Sequence, residues 1–369
     1  MIRKASYAMR VVAMLLAIGV MTSCSDRIDL DKTVILQLVA LDIDDDNRIR
    51  AHYLAPSFAG SDSGSDSEIM FTETGSSLRN LRNKIAADSS GEILSGKIQV
   101  ILVTDRFLRA RNVFEEMNVF YRDPINPSDA ILAATKSPLD KVLKADRKLS
   151  PMISAYIHDQ IMSAHEHGLS VMTTLERFNY MHDNRGITPV MSEITVRGGH
   201  LENAGTVLLS RSGKRQASLS VRQTAFLLLL QNDASLPLNM NMHHEGHALS
   251  FDVVKASVKI RTDYSDGAYR FTIDMPLTVN LTEYTSDRPF PDMEDDLRQA
   301  IREELKAECE KLVQLFQEKR VDPVGFGMHA RAYRYDAFRE EQDNWTDRFA
   351  EANVEIRPVI RFKQFGIVR

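Results

Sequence analysis

Apolar residues in this chain recur with two different periods, and their alternation predicts a mixed protein. Residues 34–41 form a near-continuous apolar run, the pattern of a strand covered on both faces. An acidic turn over 42–47 and a short strand near 49–54 follow. Thr74-Gly75-Ser76-Ser77 opens an amphipathic helix through about Ala87, with Ser76 or Ser77 as its cap. Residues 96–104 read as the clearest strand of this half. Residues 105–121 read as one helix, with Phe107, Leu108, Val113, Met117 and Phe120 spaced along one face. Arg122-Asp123-Pro124 ends it, because the residue before proline avoids the helical region. A strand over 130–135 and a short helix from Pro138 to Leu143 come next. Strands alternating with helices predict an α/β or α+β lobe.

Residues 150–185 read as two helical segments, near 152–165 and 170–183. Gly198, Gly199, His200 and Gly205 then punctuate a β region, with a strand over 206–209. The apolar run 224–230 fits either a short helix or a buried strand, since its periodicity does not distinguish them. Phe251, Val253, Val258 and Ile260 have β character, with one slip in alternation near Val254. Asp266-Gly267 signals a tight turn, and Phe271, Ile273, Met275, Leu277, Val279 and Leu281 then alternate strictly. This pair predicts a long antiparallel hairpin with one wet face. A helix of some 30 residues is expected over 292–321, acidic at its start and basic at its end, which suits the helix dipole. Asp322-Pro323 breaks it. A second helix near 336–352 carries Phe338, Trp345 and Phe349. A last strand over 354–362 contains Pro358, which predicts an edge position or a bulge.

Composition narrows the class. The 369 residues are 43% hydrophobic and 26% charged, with a net charge of −5. That is too apolar and too nearly neutral for a disordered chain. Two cysteines exclude a disulfide scaffold. A pI near 6.1 argues against nucleic acid as a partner. No stretch after the N-terminus supplies the roughly 20 apolar residues of a membrane span.

The N-terminus sets the compartment. Arg3, Lys4 and Arg10 precede an apolar run over 11–21 that is too short to span and suits a signal peptide. Met21-Thr22-Ser23-Cys24 resembles a bacterial lipobox. In that reading residues 1–23 are removed and Cys24 carries the lipid; the alternative is an ordinary cleaved signal with an incidental cysteine. Removal takes three positive charges and no negative ones, leaving a net charge of −8. Acyl chains, rather than a basic surface, then hold the protein to the membrane. Cys309 lies in a helical pattern between Glu308 and Glu310, which predicts an inert thiol.

Chemistry-bearing motifs are sparse. Asp42, Asp44 and Asp46 alternate like the start of an EF-hand loop but lack its glycine and closing glutamate. The Ser/Gly/Asp tract 57–67 reads as a mobile surface loop. His243-His244-Glu245-Gly246-His247 is one residue short of a zincin helix motif, and its setting predicts a solvated or subunit-contacting loop with weak metal affinity at most. Ser212-Gly213-Lys214 lacks the rest of a P-loop, and no G-x-S-x-G elbow occurs. No catalytic, cofactor-binding or metal-ligating residue is assigned.

Short blocks spread over the mature chain resemble the Ger(x)C family of spore germination lipoproteins. They begin with Cys24-Ser25-Asp26-Arg27-Ile28-Asp29-Leu30 and continue through Thr74-Gly75-Ser76-Ser77-Leu78 and Phe120-Tyr121-Arg122-Asp123-Pro124. The most specific block is Asp322-Pro323-Val324-Gly325-Phe326-Gly327, followed by Tyr335, Trp345, Phe349 and a strand ending at Gly366. The resemblance implies an α+β (mixed α/β), multi-lobed ectodomain without catalytic activity or cofactor, lipid-anchored at Cys24 on the outer face of the inner spore membrane. It implies partnership with integral membrane A- and B-type subunits of a receptor for amino acids or sugars. The expected regions are 24–187 and 188–369, with 188–248 a candidate third lobe. A small-molecule-binding lipoprotein of the uptake type is the alternative.

Overall fold

The computed structural model describes residues 33–57, 67–89, 91–146, 150–284 and 292–364. The expected signal segment, Cys24 and residues 58–66 of the polar tract lie outside the described residues. The first half runs β1 (Thr33–Ile35), β2 (Leu38–Ile43), β3 (Ile49–Ser57), β4 (Ser67–Gly75), α1 (Leu78–Asp88), β5 (Glu92–Leu94), β6 (Val100–Thr104), α2 (Asp105–Ala110), α3 (Val113–Tyr121), β7 (Ile131–Thr135), α4 (Leu139–Val142), α5 (Ile153–Glu166) and α6 (Leu175–Asp183). The second runs β8 (Val190–Arg197), β9 (His200–Leu209), β10 (Arg215–Leu219), α7 (Val221–Leu230), β11 (Leu238–His244), β12 (His247–Ala256), β13 (Lys259–Ser265), β14 (Ala268–Tyr284), α8 (Glu294–Glu318), α9 (Phe326–Tyr333), α10 (Tyr335–Glu341), α11 (Trp345–Ala350) and β15 (Asn353–Gln364). The mixed class is the expected one.

An eight-stranded sheet has the order β10-β9-β8-β7-β6-β2-β3-β4. Its four central strands, β8, β7, β6 and β2, are parallel, and antiparallel pairs extend it at both ends. Residue parity divides its two faces. Val39, Leu41, Ile101, Val103, Leu132 and Met191 pack under α1, α2, α3 and α6. Leu38, Ala40, Val100, Leu102, Ile131 and Ala133 pack under α4 and α5. Both faces are covered, so these strands read as continuous apolar runs. The sheet takes in strands from both sides of residue 187.

Three expected elements are broken in the structure, each for a local reason. The run 34–41 is two strands, because the chain changes partner midway: the Leu36 N–H donates to Leu94 and the Gln37 N–H to Leu54. The helix expected over 105–121 is two, because the Asn112 side chain accepts from the Phe114 N–H and caps a new start. The helix expected near 336–352 is α10, a short 3-10 turn and α11. The undecided run 224–230 is helical, set by a capping box in which Ser220 and Gln223 each bond the other's backbone.

The second sheet is built on β14. The expected hairpin turn at Asp266-Gly267 is present, with β13 paired to its first half. The preceding β stretch is not a single strand. It is β12 and β13, paired end to end along β14, with β15 parallel on the opposite edge. The slip in alternation near Val254 is a register shift inside β12, between Val253 and Lys255 opposite β14. Past the end of β12 the Asn232 amide clamps both backbone groups of Val258 at 2.7 Å. Among the described residues β15 pairs with β14 alone, and its other edge accommodates Pro358, which stands opposite Met275. The apolar face of β14 packs with α8 through Leu297, Ile301, Leu305, Cys309, Leu312 and Phe316. The histidine-rich segment is not a loop. It is the tip of the β11–β12 hairpin, with Glu245 and Gly246 both at positive φ as a type I′ turn needs.

Candidate functional site

Asp322 follows α8 and is fully buried. Its backbone is tied to the segment before β8: the Thr188 N–H donates to the Asp322 carbonyl and the Asp322 N–H to the Thr188 hydroxyl, both at 2.8 Å. Its carboxylate accepts four bonds. Oδ1 accepts from Gly325 N at 2.8 Å and Phe326 N at 3.0 Å. Oδ2 accepts from Gly327 N at 2.9 Å and the Trp345 indole N–H at 2.8 Å. The side chain thus takes up donors that the start of α9 leaves without partners inside the helix. Burial is the dominant influence on its acidity and pushes the pKa up to about 6, with the four donors pulling the other way.

The cage also sets the approach of two chain segments. A Cβ on Gly186 would lie 2.4 Å from the Gly327 carbonyl carbon, and one on Gly327 would lie 2.4 Å from the Gly186 Cα and 2.6 Å from the Trp345 ring. Both positions require glycine because backbone meets backbone. Trp345 sits edge-on to Tyr269 of β14 and tilted against Phe338 of α10. The block Asp322 to Gly327 with Trp345, visible in the sequence as a motif, is therefore one structural unit joining β8's lead-in, α8, α9 and α11. The carboxylate and the donors around it satisfy one another, which fixes their relative positions.

A second polar cluster lies near the carboxyl ends of the parallel strands. The Glu193 side chain of β8 is 1% exposed and that of Arg215, from β10, is 5% exposed. Arg215 Nη2 donates to Glu193 Oε1 at 2.7 Å, and its Nε lies 3.1 Å from Asp105 Oδ1 at the head of α2. Lys136, just past β7, approaches the other Glu193 oxygen at 3.4 Å. Sequence reasoning missed this network, since its members are far apart in the chain and each reads as an ordinary charged residue. A separate device at the opposite edge of the sheet pins α5: Glu68 of β4 accepts from Ile153 N and Ser154 N at that helix's N-terminus.

The sequence-predicted residues are dispersed. Cys24 lies outside the described residues. Cys309 is buried in α8, and burial, reinforced by Glu308 and Glu310, pushes its thiol up to about 12. The native thiol is expected to resist a thiolate-specific reagent at pH 8, where only about one in ten thousand molecules is ionised, and to react on unfolding in urea. Peptide mass spectrometry after timed alkylation reads this directly. Among the described residues, no group of three or more His, Cys, Asp or Glu side chains could hold a metal ion. No helix among them is long and apolar enough to cross a membrane. A surface groove of about 470 Å³ opens between α1, β5 and α3, lined by Arg79, Arg82, Asn83, Glu92, Ile93 and Val119.

Comparison with known proteins places this architecture. Residues 26–196 match the family model "Spore germination protein N-terminal domain", and residues 204–366 match "Spore germination B3/ GerAC like, C-terminal". Spore germination protein B3 of Bacillus subtilis (strain 168) is 21% identical over 358 residues, covering 94% of each chain. Spore germination protein YndF of the same strain is 20% identical over 311 residues, 82% of this chain and 76% of that one. The crystal structure of the GerBC protein superposes with a TM-score of 0.62 at 18% identity, over 88% of this chain and 96% of that one. The two family models follow one another along nearly all of the chain, and the protein belongs to the GerAC-like family of spore germination proteins.

Proposed function

We propose that this chain is the lipid-anchored, non-enzymatic C subunit of a spore nutrient germinant receptor. In this reading it works with integral membrane A- and B-type subunits as a scaffold or signal relay. One observation carries the proposal: both GerAC-like family models match, in order, over residues 26–196 and 204–366. The interlocked Asp322 cage suits a scaffold, because it fixes α9 and α11 against the lead-in to β8. Cys24 is the proposed site of acylation, and the polypeptide lies on the outer face of the inner spore membrane. Two or three acyl chains, at about 0.8 kcal/mol per buried CH₂, hold such a domain firmly.

The experiment is Cys24→Ala in the full-length chain. The variant is expected to move from the membrane to the soluble fraction and to lose germination toward at least one nutrient. Retention in the membrane with normal germination would remove the anchor from the proposal. Failure of the A- and B-type subunits to co-purify with the tagged wild-type chain would remove the receptor. A second reading, capture of a small solute, has one observation in its favour: the groove beside α1 falls in the size range of ligand pockets. Calorimetry of nutrient germinants against the purified chain separates the two, since saturable tight binding supports capture.

A further inference from the structure

We propose that the tip of the β11–β12 hairpin is a copper(I) site formed by His244, His247 and Met242. Strand register makes the juxtaposition. Along the sequence the two histidines are three residues apart, one short of the zincin spacing, and they lie in a hairpin rather than a helix. In the hairpin, His244 is paired directly with His247 across the two-residue turn. Directly opposed residues project their side chains to the same face, with Cα atoms about 4.5–5.5 Å apart. That separation lets two imidazole nitrogens each approach one ion at about 2 Å.

The third donor comes from the next position on the same face. Met242 stands opposite Leu249, two residues from the histidine pair and about 6.8 Å along the strand. Burial fixes the face: Leu238 and Met240 are buried, Met242 and His244 are half-buried, and His243 on the other face is exposed. The Tyr284 ring lies 6.5 Å from the His244 ring and 6.0 Å from the His247 ring, so both imidazoles sit beside one wall. Met242 is unbranched and flexible, so its thioether can swing toward them.

The donor set selects the ion. Two imidazoles alone accept several divalent metals, but a thioether is a soft ligand that favours copper(I). Two neutral nitrogens and one neutral sulfur add no negative charge, which suits a monovalent ion. The inference rests on hairpin geometry alone and is independent of the receptor reading.

The test uses the full-length chain under anaerobic conditions at pH 7.5, with copper(I) partitioned against bathocuproine disulfonate. One copper(I) per chain is expected, with a copper K-edge spectrum fitted by two nitrogen scatterers and one sulfur. His244→Ala and His247→Ala are each expected to weaken binding by about tenfold or more. Met242→Leu preserves volume and is expected to remove the sulfur shell and weaken binding. His243→Ala, on the opposite face, is expected to leave binding unchanged. Circular dichroism confirms that each variant is folded. Substoichiometric copper, binding indifferent to His244→Ala and His247→Ala, or a sulfur shell that survives Met242→Leu would each overturn the site.

Discussion

Replacing Asp322 with alanine is expected to cost about 3–5 kcal/mol of stability, since each buried donor left without its acceptor costs about 1–3 kcal/mol and the site relaxes in part. The variant leaves four buried N–H donors without their acceptor: Gly325, Phe326, Gly327 and the Trp345 indole. Asp322→Asn is expected to cost less, about 2–4 kcal/mol, because its remaining oxygen serves two donors while its NH₂ faces the other two. Trp345 is the only tryptophan in the chain, so urea unfolding followed by its fluorescence measures both variants. A midpoint unchanged in Asp322→Ala would show that the cage contributes no stability.

The same carboxyl gives a pH dependence of known sign. Its folded pKa is raised from 3.8 to about 6. Between those values the native state binds the proton more tightly than the unfolded state. This group's contribution to stability is therefore full below about pH 4 and falls as pH rises toward 6, by about 1.4 kcal/mol per unit at most. Trp345 emission is expected to titrate with a midpoint near pH 6 in the wild type and to be flat there in Asp322→Asn.

The second large effect is expected at Arg215. Arg215→Met removes the main partner of Glu193, whose side chain is 1% exposed, and leaves it with half-exposed Lys136. Breaking a buried pair from one side costs about 3–5 kcal/mol. Replacing both ends by apolar residues, Arg215→Met with Glu193→Leu, is expected to return stability to within about 1 kcal/mol of the wild type, since no buried charge is then orphaned. Asp105 is partly exposed and can turn to water. Denaturant unfolding of the two single variants and the double variant closes the cycle. A double variant as unstable as the sum of the singles would show that packing, not charge, governs the cluster.

What was legible in the sequence follows from short-range physics. Alternation along β14 and the apolar stripe of α8 are properties of a few neighbouring side chains, and both stand in the structure. The missed elements are those whose pattern is set from outside. β4 alternates weakly because it is an edge strand, paired among the described residues with β3 alone. The break at Asn112 depended on a cap that competes with a continuous apolar face. The helical state of 224–230 was readable from Ser220 and Gln223, a signal four residues upstream of the ambiguous run.

By itself the sequence determined the mixed class, the order of most elements, the quiet setting of Cys309 and the motif from Asp322 to Gly327. Those depend on local periodicity, turn chemistry and the identity of residues close together in the chain. Only the tertiary structure decided what the motif does. Thr188 and Trp345 reach Asp322 from 134 and 23 residues away, and the burial that raises its pKa exists only once they close over it. The same holds for Glu193 with Arg215 and for His244 with His247. Charge pairing and metal-ligand geometry are set by strand order and register, which residue spacing along a chain does not specify.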